Sequence, residues 1–274
     1  MNTRAICEKW YKRLGFPAEY DAAFYAALGR IEVLPSATVY EYDLGSEDGL
    51  SNLLHFLYFC EALEERYRAA GIGEEVLLHT LRDLVIWTDI WSREKGALHL
   101  GELPWLAWHL KMELFRIGTL EYKMGKAPAD CPALGLKAGD AVLDVHIPHG
   151  SPFTREDCLS SLAMAKAFFR EHYPDFAYRH FTCHSWLLDR ELLGLLREGS
   201  NILGFAGLFT PCEGEGAQEE SFAALRYVFT WGTTRKSLDT AVPTSGFAAR
   251  MKAHVLGGGK LYESAGAILA ETVE

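Results

Sequence analysis

Apolar residues in the first hundred positions recur at intervals of three and four, which is typical of helices that bury one face. The two longest apolar stripes each end at a glycine, Gly71 and Gly96, and the second begins with acidic residues. The helices predicted from this pattern span 3–14, 18–30, 47–71 and 74–96. The pattern therefore predicts a helical N-terminal domain over residues 1–100.

From residue 101 onward, alternating apolar segments replace the helical stripes. Helices are predicted over 104–110, 155–172 and 189–197, with a partly helical tail. Strands are predicted over 115–125, 141–147, 176–183 and 225–231. Strands that alternate with helices indicate an α/β or α+β sheet with helices packed on it. Residues 101–274 are therefore expected to form a second domain.

Composition narrows the functional class. The chain has 274 residues, 49% of them hydrophobic, and a net charge of −10. This charge argues against a nucleic-acid partner, because phosphate binding needs a concentrated basic face. It mildly favours cationic partners such as amines, although it equally serves solubility. No apolar run is long enough to span a membrane and no signal peptide is apparent, so a cytoplasmic location and six reduced cysteines are expected.

Several familiar motifs are absent. The stretch LGGGKLYE (256–263) lacks the first glycine and the Ser/Thr of a phosphate-binding loop. No G-x-G-x-x-G follows a strand, and Ser185 does not lie in G-x-S-x-G. His146 and His149 are separated by the bend at Pro148 and have no Cys/His partners, so no metal site is predicted.

Strand 141–147 has two different faces, because successive side chains of a strand point to opposite sides. Leu143, Val145 and Ile147 form an apolar face suited to packing against a helix. Asp144 and His146 lie on the other face, where burial without partners would cost free energy. Two interpretations stay open: His146 is a core histidine that contacts a backbone carbonyl, or His146 lines a cleft and accepts a proton from an amine.

The order of elements from FRIGTLEYKM through GDAVLDVHIPHGSPFTREDCLSSLAMAKAFF, HFTCHSWLLDRELLGLL and SNILGF resembles the GNAT acyltransferase superfamily. More closely, it resembles bacterial acyltransferases that join a helical N-terminal domain to a GNAT-like mixed sheet with flanking helices. The resemblance implies an N-acetyltransferase-like enzyme with acyl-CoA, in the form of acetyl-CoA, as its co-substrate and with no metal. The pantetheine arm of the co-substrate would pair with an open strand edge near Ile147. The resemblance also implies transfer of the acyl group to a small-molecule amine held between the domains.

The resemblance and the strand faces together select the candidate residues. The catalytic candidates are Asp144, His146, His184 and Ser185. The candidates for binding CoA are Ile147, His149, Gly150, Ser151, Arg155 and Asn201.

The turn HGSPFTRED (149–157) departs from the superfamily, because it has one glycine and a proline where bare N–H groups normally bind pyrophosphate. Thr154 and Asp157 are predicted to cap the following helix, and the acids there would repel phosphate. No tyrosine lies between Tyr178 and Tyr227 to protonate a leaving thiolate. A non-catalytic binding protein is therefore the alternative function, and a hydrolase using His146 with Ser185 is a remote third.

An aromatic cluster is predicted near the domain junction, where it would either hold the domains together or form the wall of an apolar pocket. Its members are Trp87, Trp91, Trp105, Trp108 and Phe115.

Overall fold

The computed structural model describes residues 2–29 and 48–273, and these form two compact units that meet between Ile117 and Gly118. The sequence pattern put the boundary at residue 100, whereas residues 103–117 group with the first unit. Among the described helices, none combines the length and the apolar composition needed to cross a bilayer.

The first unit is helical, as predicted. Its elements are α1 (Thr3–Leu14), α2 (Asp21–Leu28), α3 (Gly49–Ala69), α4 (Glu74–Lys95), α5 (Leu103–Lys111) and the short strand β1 (Leu114–Ile117). Positions 30 and 47, at which two predicted helices end or begin, lie outside the described residues. The glycine stop at Gly96 is confirmed, because this residue adopts a left-handed φ of 68° directly after α4.

Tryptophans of the predicted aromatic cluster meet inside the first unit. The indole N–H groups of Trp87 and Trp105 both donate to Oδ2 of Asp83, which is 2% exposed. Trp105 also lies edge-to-face with Trp108, with ring centroids 5.2 Å apart. A buried carboxylate needs such donors to offset its desolvation. These two indoles therefore have a structural role within this unit.

The second unit is built around a mixed sheet in which neighbouring strands follow the order β2-β3-β4-β7-β5, with β6 also pairing with β7. The strands are β2 (Leu120–Lys126), β3 (Ala141–His146), β4 (His180–Ser185), β5 (Thr210–Pro211), β6 (Gln218–Glu220) and β7 (Tyr262–Leu269). The helices are α6 (Arg155–His172), α7 (Arg190–Leu193), α8 (Asn201–Ala206), α9 (Ala224–Val228) and α10 (Gly246–Leu256).

Helix α6 covers the apolar face of the sheet, as its sequence predicts. Cys158, Leu162, Ala165 and Phe169 form its buried stripe. Ser161 on the same helix lies 2.8 Å from the hydroxyl of Tyr122 in β2, which satisfies two buried polar groups. Burial raises the pKa of the Cys158 thiol to about 11, so this thiol is a packing residue.

Four sequence-based assignments in this unit are wrong or incomplete. The strand predicted over 115–125 is two strands, because Gly118 turns the chain at a φ of 65°. The strand predicted over 176–183 lies over 180–185 as β4. Residues 224–228 form helix α9 rather than a strand, since Leu225 packs with residues of α10. Strand β7, which pairs with three other strands, was assigned to the partly helical tail.

Gly266 in β7 is expected to be intolerant of a side chain. A Cβ at this position would lie 2.8 Å from Cβ of Phe209 and 3.0 Å from a methyl carbon of Leu188. Gly266→Ala should lower the free energy of unfolding by about 1–3 kcal/mol through overpacking. Gly125→Ala in β2 is the matched control, because the nearest atom there is 3.9 Å away. Equal urea midpoints for the two variants would contradict this account.

Candidate active site

Strands β3 and β4 part before either of them ends. Their parallel ladder pairs Val142 with His180, Leu143 with Phe181, and Asp144 with Thr182, and the described pairs stop there. Strand β3 continues for two residues and β4 for three. Beyond Asp144, β3 stays paired with β2, and β4 stays paired with β7. The sheet therefore opens between its two central strands, with the edges that face each other left without a ladder.

Polar side chains line one face of the sheet at this opening. Strand register places Lys123 of β2 beside Asp144 of β3, and Asp144 beside Thr182 of β4. His146 and His184 are two positions further along β3 and β4 on the same face. Toward the start of β3, the same face of the sheet packs against a buried cluster of mostly small residues that includes Val142. The polar side chains therefore lie at the edge of this buried cluster.

Asp144 and His146 form a close pair. His146 Nε2 lies 3.1 Å from Asp144 Oδ2, and both side chains are about a quarter exposed. A carboxylate can only accept, so a hydrogen shared across this contact would be on Nε2, although the contact does not meet hydrogen-bond geometry. Nδ1 is the ring nitrogen that does not face Asp144. Burial alone would raise the pKa of Asp144, but the neighbouring His146, Lys123 and His184 hold that pKa below its ordinary value. Asp144 is therefore the ionised partner that fixes the ring.

His184 has a second carboxylate beside it. Its Nδ1 lies 3.9 Å from Oε2 of Glu263 in β7. The hydroxyl of Ser221 lies 3.2 Å from the other oxygen of Glu263 and also accepts a hydrogen bond from the backbone N–H of Ala223. Nε2 of His184 is buried and has no hydrogen-bond partner among the described residues. A carboxylate thus faces Nδ1 of the ring beyond hydrogen-bond distance, and Nε2 on the other side is unsatisfied.

Ser185 does not join these groups. It lies on the opposite face from His184, and its hydroxyl accepts the backbone N–H of Leu187 at 3.2 Å. Cys183 also lies on that face, and burial raises the pKa of its thiol well above the ordinary value. Of the predicted catalytic residues, the structure brings together Asp144, His146 and His184.

The turn after β3 has the features that the sequence predicts. Gly150 adopts a φ of 75°, and Ser151 N–H donates to the Pro148 carbonyl at 3.1 Å. Thr154 caps α6, and the reciprocal bond with Asp157 completes the capping box. Glu156 and Asp157 therefore lie at the N-terminus of α6, where a bound pyrophosphate would be expected.

The remaining candidates for binding CoA lie around the same helix end. Arg155 donates to the carbonyl of Gly204 in α8 at 3.2 Å, so its guanidinium bridges α6 and α8. Asn201 is the first residue of α8 and is exposed. Ser200 precedes it at the capping position, without a side-chain hydrogen bond to the helix. Ile147 and His149 directly follow β3, with His149 exposed.

Sequence reasoning missed Lys123, Thr182 and Glu263. The hydroxyl of Thr182 approaches Asp144 Oδ1 at 3.5 Å, a weak contact. Lys123 could have been found from the alternation within β2, once the register with β3 was known. Glu263 gave no local signal, because β7 was not recognised as a strand.

A cavity of about 530 Å³ lies across β7 from β4. Its lining includes Leu193 and Phe209, the charged residues Arg190 and Glu213, and Ser264–Gly266 of β7. The same three residues pair with Cys183–Ser185 of β4. The cavity therefore lies within the second unit, one strand away from the opening.

A mixed sheet whose central parallel strands part beside a helix N-terminus is the arrangement of a GNAT-like acyltransferase. The sequence matches the GNAT-like C-terminal domain over residues 114–268 and the N-acyltransferase N-terminal domain over residues 8–112. The first match alone covers more than half of the chain, and the chain belongs to the family of acyltransferases with this GNAT-like C-terminal domain.

Solved structures agree with this fold. An acyltransferase point mutant in complex with octanoyl-CoA is similar with a TM-score of 0.76 at 22% identity. An acyltransferase in complex with decanoyl-CoA has a TM-score of 0.73 at 26% identity, and one with decanoyl-CoA and teicoplanin has 0.75 at 22%. Each match covers 96% of this chain and 87% of the other. No curated protein matches the sequence significantly.

Proposed function

We propose that the protein transfers an acyl group from acyl-CoA to a small-molecule amine by direct attack. The single observation that carries this proposal is the end of the β3–β4 ladder at Asp144, within the length of both strands. Unpaired backbone groups at such an opening need partners. The two amides of a pantetheine arm supply them, as an extended ligand adds to a sheet edge.

The amine would lose its proton to His146. Nδ1 is the proposed acceptor, because it is the ring nitrogen that does not face Asp144, whereas Nε2 lies 3.1 Å from Asp144 Oδ2. The amine nitrogen attacks the thioester carbonyl, His146 accepts the proton, and the CoA thiolate leaves. Asp144 stabilises the imidazolium that forms. The net negative charge of the chain and the carboxylates at the opening would favour approach of a cationic amine.

We also propose a donor with an acyl chain longer than acetyl. Similar structures that hold octanoyl-CoA or decanoyl-CoA support this choice. The cavity beside β7 carries no argument for the acyl chain, because it lies one strand away from the opening and Arg190, Glu213 and Gln218 line it together with Leu193 and Phe209.

A non-catalytic binding protein is the second candidate. Glu156 and Asp157 at the start of α6 favour it, because they oppose the pyrophosphate that an acyl-CoA donor brings. If the protein is an enzyme, the proposed contacts for CoA are Ile147, His149, Gly150, Ser151, Arg155 and Asn201. Of these, Arg155 and His149 supply the positive charge that offsets the two acids.

Calorimetric titration with CoA, acetyl-CoA and decanoyl-CoA separates the two candidates. Decanoyl-CoA should bind more tightly than acetyl-CoA, and CoA thiol should be released when hydroxylamine is added as a small nucleophile. Binding without thiol release would favour the non-catalytic protein. If none of the three ligands gives heat or a thermal shift at millimolar concentration, the protein does not bind CoA. This result would contradict the proposed acyl transfer. Equal affinity for the two acyl donors would sink only the choice of a longer chain.

A further inference from the structure

The proposed reaction leaves one step without a residue, because the CoA thiolate must acquire a proton and no tyrosine lies between Tyr178 and Tyr227. The β4 side of the opening has an imidazole that the attack itself does not use. We infer that His184 protonates the leaving thiolate, and that Glu263 and Ser221 position it to do so. This inference rests on the proposed acyl transfer and adds a second histidine with a different task.

The geometry of the ring carries the inference. Nδ1 of His184 faces Glu263 at 3.9 Å, whereas Nε2 is buried without a hydrogen-bond partner among the described residues. A buried polar atom without a partner is costly unless a ligand supplies one. A sulfur atom that enters the opening between β3 and β4 would be such a partner.

Glu263 is itself held in place. Ala223 N–H donates to the hydroxyl of Ser221, and this hydroxyl donates to Oε1 of Glu263, both at 3.2 Å. The other carboxylate oxygen of Glu263, Oε2, therefore faces His184. A nearby carboxylate stabilises positive charge on an imidazole. Glu263 therefore acts through His184 as a positioning residue and does not touch the substrate.

The proton and electron balance is simple. The amine nitrogen forms the new C–N bond, and the C–S bond breaks with its electron pair remaining on sulfur. That sulfur takes the proton from Nε2 of the His184 imidazolium, so CoA leaves as the thiol. His184 becomes neutral with its remaining hydrogen on Nδ1 toward Glu263. His146 carries the proton of the amine, and exchange with solvent restores both rings.

Other ionisable groups surround His184 and must be considered in any pH experiment. Glu263 faces it from β7, and Asp144 and His146 lie across the opening on β3. Lys123 of β2 contributes through its interaction with Asp144. A pH profile of the wild type alone would combine all of these groups. The profile of each variant must therefore be compared with that of the wild type.

The test varies the leaving group. The variants are His184→Gln, Glu263→Gln, Glu263→Asp and Ser221→Ala, with Glu271→Gln as an exposed control carboxylate outside the site. Release of thiol is followed with decanoyl-CoA and with the S-(4-nitrophenyl) thioester of decanoic acid, using hydroxylamine as the acceptor. A 4-nitrophenyl thiolate is a much weaker base than an alkyl thiolate, so its departure depends far less on a proton donor.

His184→Gln should lower kcat with decanoyl-CoA by about 10²–10⁴ with little change in KM, and should lower kcat with the aryl thioester far less. Any fall in the wild-type kcat at high pH that comes from loss of the His184 proton should be absent in His184→Gln. Glu263→Gln should show a smaller loss with the same preference for the alkyl thioester, with Glu263→Asp intermediate between it and the wild type. Ser221→Ala should lose less than Glu263→Gln. Thermal midpoints check that each variant is folded.

Each failure has a separate meaning. Equal losses with both leaving groups, or an unchanged alkaline limb in His184→Gln, would overturn the acid role while acyl transfer stands. Normal activity of Glu263→Gln would overturn its positioning role. A wild type that releases no thiol from decanoyl-CoA would overturn the proposed function and this inference together.

Discussion

Replacement of His146 by alanine should lower turnover of acyl-CoA by about 10²–10⁴ and leave the thermal midpoint almost unchanged. The expected loss follows from the position of the ring at the end of β3, where Nε2 lies 3.1 Å from Asp144 and Nδ1 is the proposed acceptor of the amine proton. The side chain is about a quarter exposed, so its removal leaves no large cavity. Thiol release from decanoyl-CoA with hydroxylamine measures kcat and KM separately.

His79→Ala is the matched control, because His79 is an exposed histidine of α4 in the first unit. It should keep the kcat of the wild type. Loss of stability in His146→Ala comparable to its loss of activity would instead support the interpretation of a core histidine. Full activity in a folded variant would remove His146 from the mechanism.

The largest expected effect on stability is at Asp189. This carboxylate is fully buried, accepts the N–H of Glu191 at the start of α7 at 3.0 Å, and accepts the N–H of Tyr262 at the start of β7 at 2.9 Å. Burial raises the pKa of Asp189, and the two N–H donors partly compensate for that cost. Asp189→Ala should lower the free energy of unfolding by about 2–4 kcal/mol. About 1 kcal/mol of this comes from loss of the helix cap, and the rest comes from the buried N–H of Tyr262, which would lose its acceptor.

Urea denaturation measures this loss, and two further variants make it specific. Asp189→Asn keeps one accepting oxygen and should lose part of the stability. Asp175→Ala, at an exposed aspartate in the turn after α6, should change stability by no more than about 0.5 kcal/mol. An Asp189→Ala protein as stable as Asp175→Ala would show that water replaces both bonds.

Local patterns were sufficient for much of the fold. The helices of the first unit and α6 could be predicted because each has its own apolar stripe and end signals, which do not depend on partners. The two faces of β3 could be predicted for the same reason. Alternation places Asp144 and His146 together without knowledge of the neighbouring strands.

Elements that depend on distant partners could not be predicted. The segment around Tyr227 alternates like a strand, but Leu225 lies in a buried cluster with Leu238 and Met251, and a short helix results. Strand β7 is rich in small residues because side chains such as Phe209 pack tightly against it, so it lacks the large apolar residues that indicate a strand. Glu263 became a candidate only when that strand was seen beside His184.

The central place of β7 has a consequence for how the protein acquires its structure in the cell. Residues 262–269 pair with both β4 and β5, whose paired residues lie about 55 to 90 positions earlier in the chain. Pairing of such widely separated segments is slow, since a long loop must close first. Until residues 262–269 have been synthesised, the edge of β4 that pairs with β7 stays unpaired in the nascent chain. Chaperone demand during synthesis is therefore expected to be concentrated in that interval.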